Sequence, residues 1–107
     1  MDKKARDEKL QEVLKISLDR AALLERMGDW HAALKELEYA YSLFPSLASE
    51  PYALALLRRG KERERAGDLA EARRVYQLAF RIAPDGKIKD YLKRTITDRS
   101  EERRVGK

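Results

Sequence analysis

The feature that most constrains this chain is a repetition within it. Shifted by 39 residues, the stretch ERMGDWHAALKELEYAYSLFP, beginning at Glu25, lies over ERAGDLAEARRVYQLAFRIAP, beginning at Glu64. Glu25, Arg26, Gly28, Asp29, Ala33, Ala40 and Pro45 fall on Glu64, Arg65, Gly67, Asp68, Ala72, Ala79 and Pro84. The shared residue types have physical reasons. A glycine takes the left-handed backbone that closes one helix, and the aspartate after it caps the next by accepting an amide hydrogen bond. Alanines let two helices approach closely, and proline stops a helix. A unit of this size cannot bury its apolar face alone, so its neighbours must complete the core.

Apolar spacing supplies the helices on either side of each corner. Leu10, Val13, Leu14, Ser17, Ala21 and Leu24 recur at the three-and-four interval of an amphipathic helix from about Asp7 to Met27. Trp30, Ala33, Leu34, Leu37, Tyr41 and Phe44 form the face of a second helix, ended by Pro45. A loop is expected from Pro45 to Pro51. A third helix then runs from about Glu50 to Ala66, with Ser49 as its cap and Pro51 in its first turn. The fourth carries Leu69, Ala72, Val75, Tyr76, Ala79 and Phe80, with Glu71 at the capping-box place, and stops at Pro84. Ile88, Tyr91, Leu92, Thr95 and Ile96 give a fifth helix one apolar side. The expected organisation is one helical domain over 1–99, with units at about 14–47 and 53–86 and a cap at about 87–99. The basic tail 100–107 is expected to be disordered. Nothing alternates as a strand would.

A chain of 107 residues holds one domain of this kind, and its 43% hydrophobic and 40% charged residues suit solvated helices around a narrow core. It contains no cysteine, which removes disulfides and thiolate metal sites and agrees with a reducing compartment. The opening MDKKARDEKL alternates acids and bases, and so reads as neither a secretory signal nor a membrane span. The expectation is a cytoplasmic protein. Net charge is +5 and unevenly placed: residues 1–50 hold 8 Lys/Arg against 10 Asp/Glu, a net of −2, and residues 51–107 hold 16 against 9, a net of +7.

These positions resemble the tetratricopeptide repeat family. Its pattern places a small residue in the first helix, a turn glycine, a large apolar residue two later, two alanines in the second helix and a closing proline. Those places hold Ala21, Gly28, Trp30, Ala33, Ala40 and Pro45, then Gly60, Gly67, Leu69, Ala72, Ala79 and Pro84. The family's period is about 34 residues, so about five are added here, within Ala48 to Tyr52. Ser17 and Leu56 stand where the pattern has an early tryptophan, and Arg63 stands where it has a large apolar residue. The resemblance implies an all-α, right-handed superhelix of two antiparallel hairpins plus a C-terminal capping helix, five helices in all. Two units fall short of the three or so that stability asks for; the long N-terminal extension of the first helix and the fifth helix are candidates for the missing cover, and otherwise a second copy of the chain is.

Function is expected to lie in binding. The sole histidine, His31, reads as a surface residue beside Trp30, and no phosphate loop, dinucleotide fingerprint or nucleophile elbow occurs. No enzyme activity, cofactor or metal is therefore expected. The resemblance implies a concave wall made by the first helix of each hairpin, at Lys15, Leu18, Ala22, Glu25 and Arg26, then Leu54, Leu57, Lys61, Glu64 and Arg65. The fifth helix adds Ile88, Tyr91 and Thr95. Such a wall suits a peptide or helix of a protein partner with an acidic segment. The competing reading is that Leu18, Leu54 and Leu57 pack internally and the Glu and Arg residues bond each other. The family's grip on acidic chaperone C-termini needs paired asparagines, and this sequence has none. A self-associating scaffold is the alternative function. Nucleic-acid binding ranks below both, because the bases Arg58, Arg59, Lys61, Arg63, Arg65, Arg73, Arg74, Lys87, Lys89, Lys93 and Arg94 are interleaved with Glu62, Glu64, Asp68, Glu71 and Asp90.

Overall fold

The structure, a computed structural model, describes residues 2–105, and of residues 98–105 only the backbone. Among the described residues it is all-helical, without strands: α1 (Lys3–Arg26), α2 (Trp30–Leu43), α3 (Pro45–Arg65), α4 (Leu69–Ile82) and α5 (Lys87–Val105). The disordered tail expected over 100–107 lies outside the residues whose side chains are described. Packing divides the chain into two compact units, Met1–Pro51 and Tyr52–Lys107. The division falls inside α3.

The two corners are the same structure made twice. Gly28 and Gly67 hold φ +83° and +85°, the left-handed region that glycine enters without strain. The Gly28 amide donates to the Glu25 carbonyl at 2.9 Å and the Asp29 amide to the Leu24 carbonyl at 2.9 Å; Gly67 to Glu64 and Asp68 to Arg63 repeat this at 3.0 and 2.9 Å. Each corner thereby closes the outgoing helix with a paired Schellman bond pattern. The same aspartate opens the next helix, its carboxylate accepting from the Ala32 amide in the first unit and the Glu71 amide in the second, both at 3.2 Å. The capping box expected at Asp68 and Glu71 is only half formed. The Asp68 amide is already given to Arg63, and the Glu71 carboxylate turns to Arg74 instead.

In the first unit α2 folds back along α1, and Arg20 donates from Nη1 to Glu36 at 3.5 Å across the pair. Buried Leu14, Ala40 and Ala48 form the centre, with Leu18, Tyr41 and Phe44 packed on them. Ala21, Ala33 and Leu37 are buried as well. Leu10 and Val13, expected on the buried face of α1, are exposed. α1 also begins earlier than the apolar pattern suggested, because Asp2 caps it by accepting from the Ala5 amide at 2.8 Å.

The expected loop from Pro45 to Pro51 does not exist. Pro45 closes α2 and opens α3 together: a residue before proline is pushed from helical geometry, and Phe44 sits at φ −133°, while Pro45 takes the first helical position, where no amide donor is missed. Ala48 and Ser49 are buried within α3, and Ser49 is no cap; its hydroxyl reaches back to the Ser46 carbonyl at 3.5 Å. Pro51 lies in the helix interior, so the carbonyl of Leu47 lacks its usual amide donor.

In the second unit α4 buries Ala72, Val75, Tyr76 and Ala79, and α5 packs on α4 with Leu92 fully buried. Gly60 marks the close approach of α3 and α4. A Cβ built on it would stand 2.7 Å from Cδ1 and 2.8 Å from Cζ of Tyr76. An interior helical glycine usually stabilises on replacement by alanine, by about 0.5–1 kcal/mol. Here the sign should reverse: Gly60→Ala is expected to destabilise by about 1–3 kcal/mol through overpacking against Tyr76. Gly67→Ala should destabilise by about 1–2 kcal/mol through backbone strain alone, since nothing crowds that site. Urea unfolding followed by circular dichroism checks both.

Candidate functional site

The second unit carries an open cleft of about 470 Å³ lined by Leu57 and Lys61 from α3 and by Lys87, Ile88, Asp90, Tyr91 and Arg94 from α5. Its position follows from the helical period. Leu57 and Lys61 are one turn apart on α3, and Lys87, Asp90, Tyr91 and Arg94 recur at three-and-four spacing on α5, with buried Leu92 anchoring the other side of that helix. Leu57, Ile88 and Tyr91 make the apolar floor. Lys61 Nζ stands over the Tyr91 ring, 5.1 Å from its centroid, a cation–π arrangement that joins α3 to α5 and holds an ammonium at the mouth. With Lys87 and Arg94 against one carboxylate, Asp90, the rim carries a net +2.

Of the residues singled out in the sequence, the cleft brings together Leu57, Lys61, Ile88 and Tyr91. Leu54 is half-buried, Thr95 is half-buried and Arg65 is exposed, and none of these lines it. Glu64 is held by the Tyr76 hydroxyl, which donates to its Oε1, so it works as a brace between α3 and α4. In the first unit Lys15 pairs with Asp19 at 3.2 Å, Leu18 packs on the core cluster, Glu25 is half-buried, and Ala22 and Arg26 are exposed. Lys87, Asp90 and Arg94 were not assigned to a groove by the sequence. The signal that could have found them is the charge flanking Tyr91 at helical intervals.

Part of the expected basic patch is engaged within the chain. Arg63 grips Glu62 with a two-pronged bond, Nε at 2.9 Å and Nη2 at 2.7 Å, and lies 3.7 Å from Asp68. Arg59 reaches the same Glu62 at 2.6 Å. Arg74 grips Glu71 at 3.0 and 2.6 Å, and Lys89 lies 5.1 Å above the Phe80 ring and 3.8 Å from Asp85. Lys93 helps line a second cleft of about 370 Å³ with Gln77, Phe80, Arg81, Ile96 and Thr97. His31 is exposed, as expected. Among the described residues no group of acids and histidine could hold a metal ion, and no helix is long and apolar enough to cross a membrane. Compared with family models, with curated proteins and with solved structures, the chain matches none.

The ion pairs leave a pH signature. The hydrogen bond from Arg63 holds the Glu62 carboxyl below its ordinary value of 4.5, and the bond from Arg74 does the same for Glu71. Both acids ionise more readily folded than unfolded, so the stability they contribute is present above that ordinary value and is lost as pH falls through the lowered folded one. Melting temperature should therefore hold at neutral pH and decline below pH 4.5. In Glu62→Gln the decline should be shallower, as read by thermal melts across an acid series.

Proposed function

We propose that this chain is a non-catalytic protein-interaction module, its helices arranged as two hairpins of a tetratricopeptide-like right-handed superhelix with α5 as the cap. The reading draws on the equivalence of the two corners: matching glycine dihedrals, matching closing bonds and matching aspartate caps, 39 residues apart. It places the module in the cytoplasm and assigns it no cofactor.

The observation that carries the binding role is the α3–α5 cleft. An apolar floor of Leu57, Ile88 and Tyr91 beneath a rim with a surplus of two positive charges suits an amphipathic peptide or helix that presents apolar anchors flanked by Asp or Glu. Apolar burial would supply affinity, while Lys61, Lys87 and Arg94 would steer and orient the acidic flank. A protein ligand is preferred over nucleic acid because Arg59, Arg63, Arg74 and Lys89 are engaged inside the chain and do not extend the rim into a phosphate track.

Fluorescence anisotropy with a labelled glutamate-flanked amphipathic peptide tests this. Saturable binding is expected, weakened about tenfold by Lys61→Glu or Arg94→Glu, equivalent to about 1.4 kcal/mol. It should also weaken as salt screens the rim. Tyr91→Ala should weaken binding with little change in salt dependence. Absence of peptide binding, or binding indifferent to these changes, would refute the assignment. Tighter binding of an oligonucleotide than of the peptide would move it to the nucleic-acid reading.

A further inference from the structure

The first unit leaves one side of its α1–α2 hairpin apolar and open. On α1 and the Met27 that caps it, Val13, Ile16, Arg20, Leu23 and Met27 follow one another at intervals of three, four, three and four; on α2, Glu36, Tyr39 and Leu43 are spaced by three and four. This is the spacing of a helix-packing seam. It is distinct from the stripe that makes the unit's own core, where Leu14, Ala21, Ala33, Leu37 and Ala40 are buried. The six apolar members of the seam, Val13, Ile16, Leu23, Met27, Tyr39 and Leu43, are between 48% and 69% exposed. The Arg20–Glu36 bond shows that the two stripes face the same way and fixes their register. Seven residues, two turns, from that pair, Val13 comes beside Leu43; one turn away, Ile16 comes beside Tyr39.

We propose that this face is a homodimer interface, on which α1 of one copy lies against α2 of a second copy in an antiparallel four-helix arrangement. The charges name the occupant. A base on one helix and an acid on the other, at the same height in the middle of an apolar face, is self-complementary under a two-fold axis parallel to the helices. Rotation about that axis sets Arg20 of each copy opposite Glu36 of the other, sets Val13 opposite Leu43 and sets Ile16 opposite Tyr39. A two-fold axis running across the helices would stack α1 on α1 and bring Arg20 against its own copy, which like-charge repulsion disfavours. The face is two helices wide and about 20 Å long, about 400 Å² in projection. That is below the ~800 Å² per partner of a standard interface, so the dimer depends on concentration.

Sedimentation equilibrium of the full chain across a concentration series tests the proposal. Wild-type protein should pass from monomer to dimer, and Arg20→Glu and Glu36→Arg should each weaken self-association by about tenfold or more. An equimolar mixture of the two variants should regain dimer, because each then supplies the charge the other lacks. The bond within each hairpin stays broken in that mixture, so the rescue reads only pairing between copies. Ile16→Gln combined with Leu23→Gln, both on exposed positions and neutral in charge, gives an independent arm: dimer lost with helicity kept. Wild-type protein that stays monomeric at every concentration would overturn the proposal. So would a dimer untouched by all these changes, or a mixture no more associated than its components. None of these variants touches the cleft of the second unit, so peptide binding there passes or fails separately.

Discussion

Gly28 and Gly67 hold backbone angles that a residue with a Cβ enters only under strain, and each sits where one helix must stop and another start within three residues. From that constraint much of the rest follows. The left-handed turn lets two successive amides close the outgoing helix, and it aims the following aspartate so that its carboxylate caps the incoming one. The helices are thereby brought side by side in a fixed register. Arg20 can then reach Glu36, and Tyr76 can lie in the space Gly60 leaves open.

The charged residues divide by what they face. Glu62 and Glu71 each draw an arginine, Arg63 and Arg74, into a two-pronged grip on the second unit. Ion pairs near the surface contribute little stability individually, because solvent screens them. Their larger effect is on where charge remains available. Three further bases meet at Tyr91, where Lys61 leans on the ring and Lys87 and Arg94 line the same cleft.

The two corners, their aspartate caps and much of the buried faces of α2 and α4 were legible in the sequence because each depends on residues within two turns of each other, although Leu69, expected on the face of α4, lies exposed. Gly28 with Asp29 and Ala33 with Ala40 declare themselves locally. The course of the chain from Pro45 to Pro51 did not. Two prolines six residues apart read as a loop, yet the first suits the opening position of a helix, and burial of Ala48 and Ser49 outweighs the one hydrogen bond the second removes. Leu10 and Val13 carried the right period for a core but lie exposed, since periodicity gives a stripe and not which of two stripes is covered. The cleft was half legible: Lys61 and Tyr91 were picked out on separate helices, whereas Lys87, Asp90 and Arg94 gain meaning only once α5 lies near α3.

Pro51 gives α3 an uneven cohesion along its length. On one side the helix belongs to the first unit and on the other to the second, and the boundary residue has no amide hydrogen to contribute to the ladder. Helical order is cooperative because each rung favours the next, and a missing rung interrupts that favour. Fraying that starts in Pro45–Glu50 therefore meets a natural stopping point before Tyr52. α3 thus has two zones of melting, separated by the chemistry of a single pyrrolidine ring.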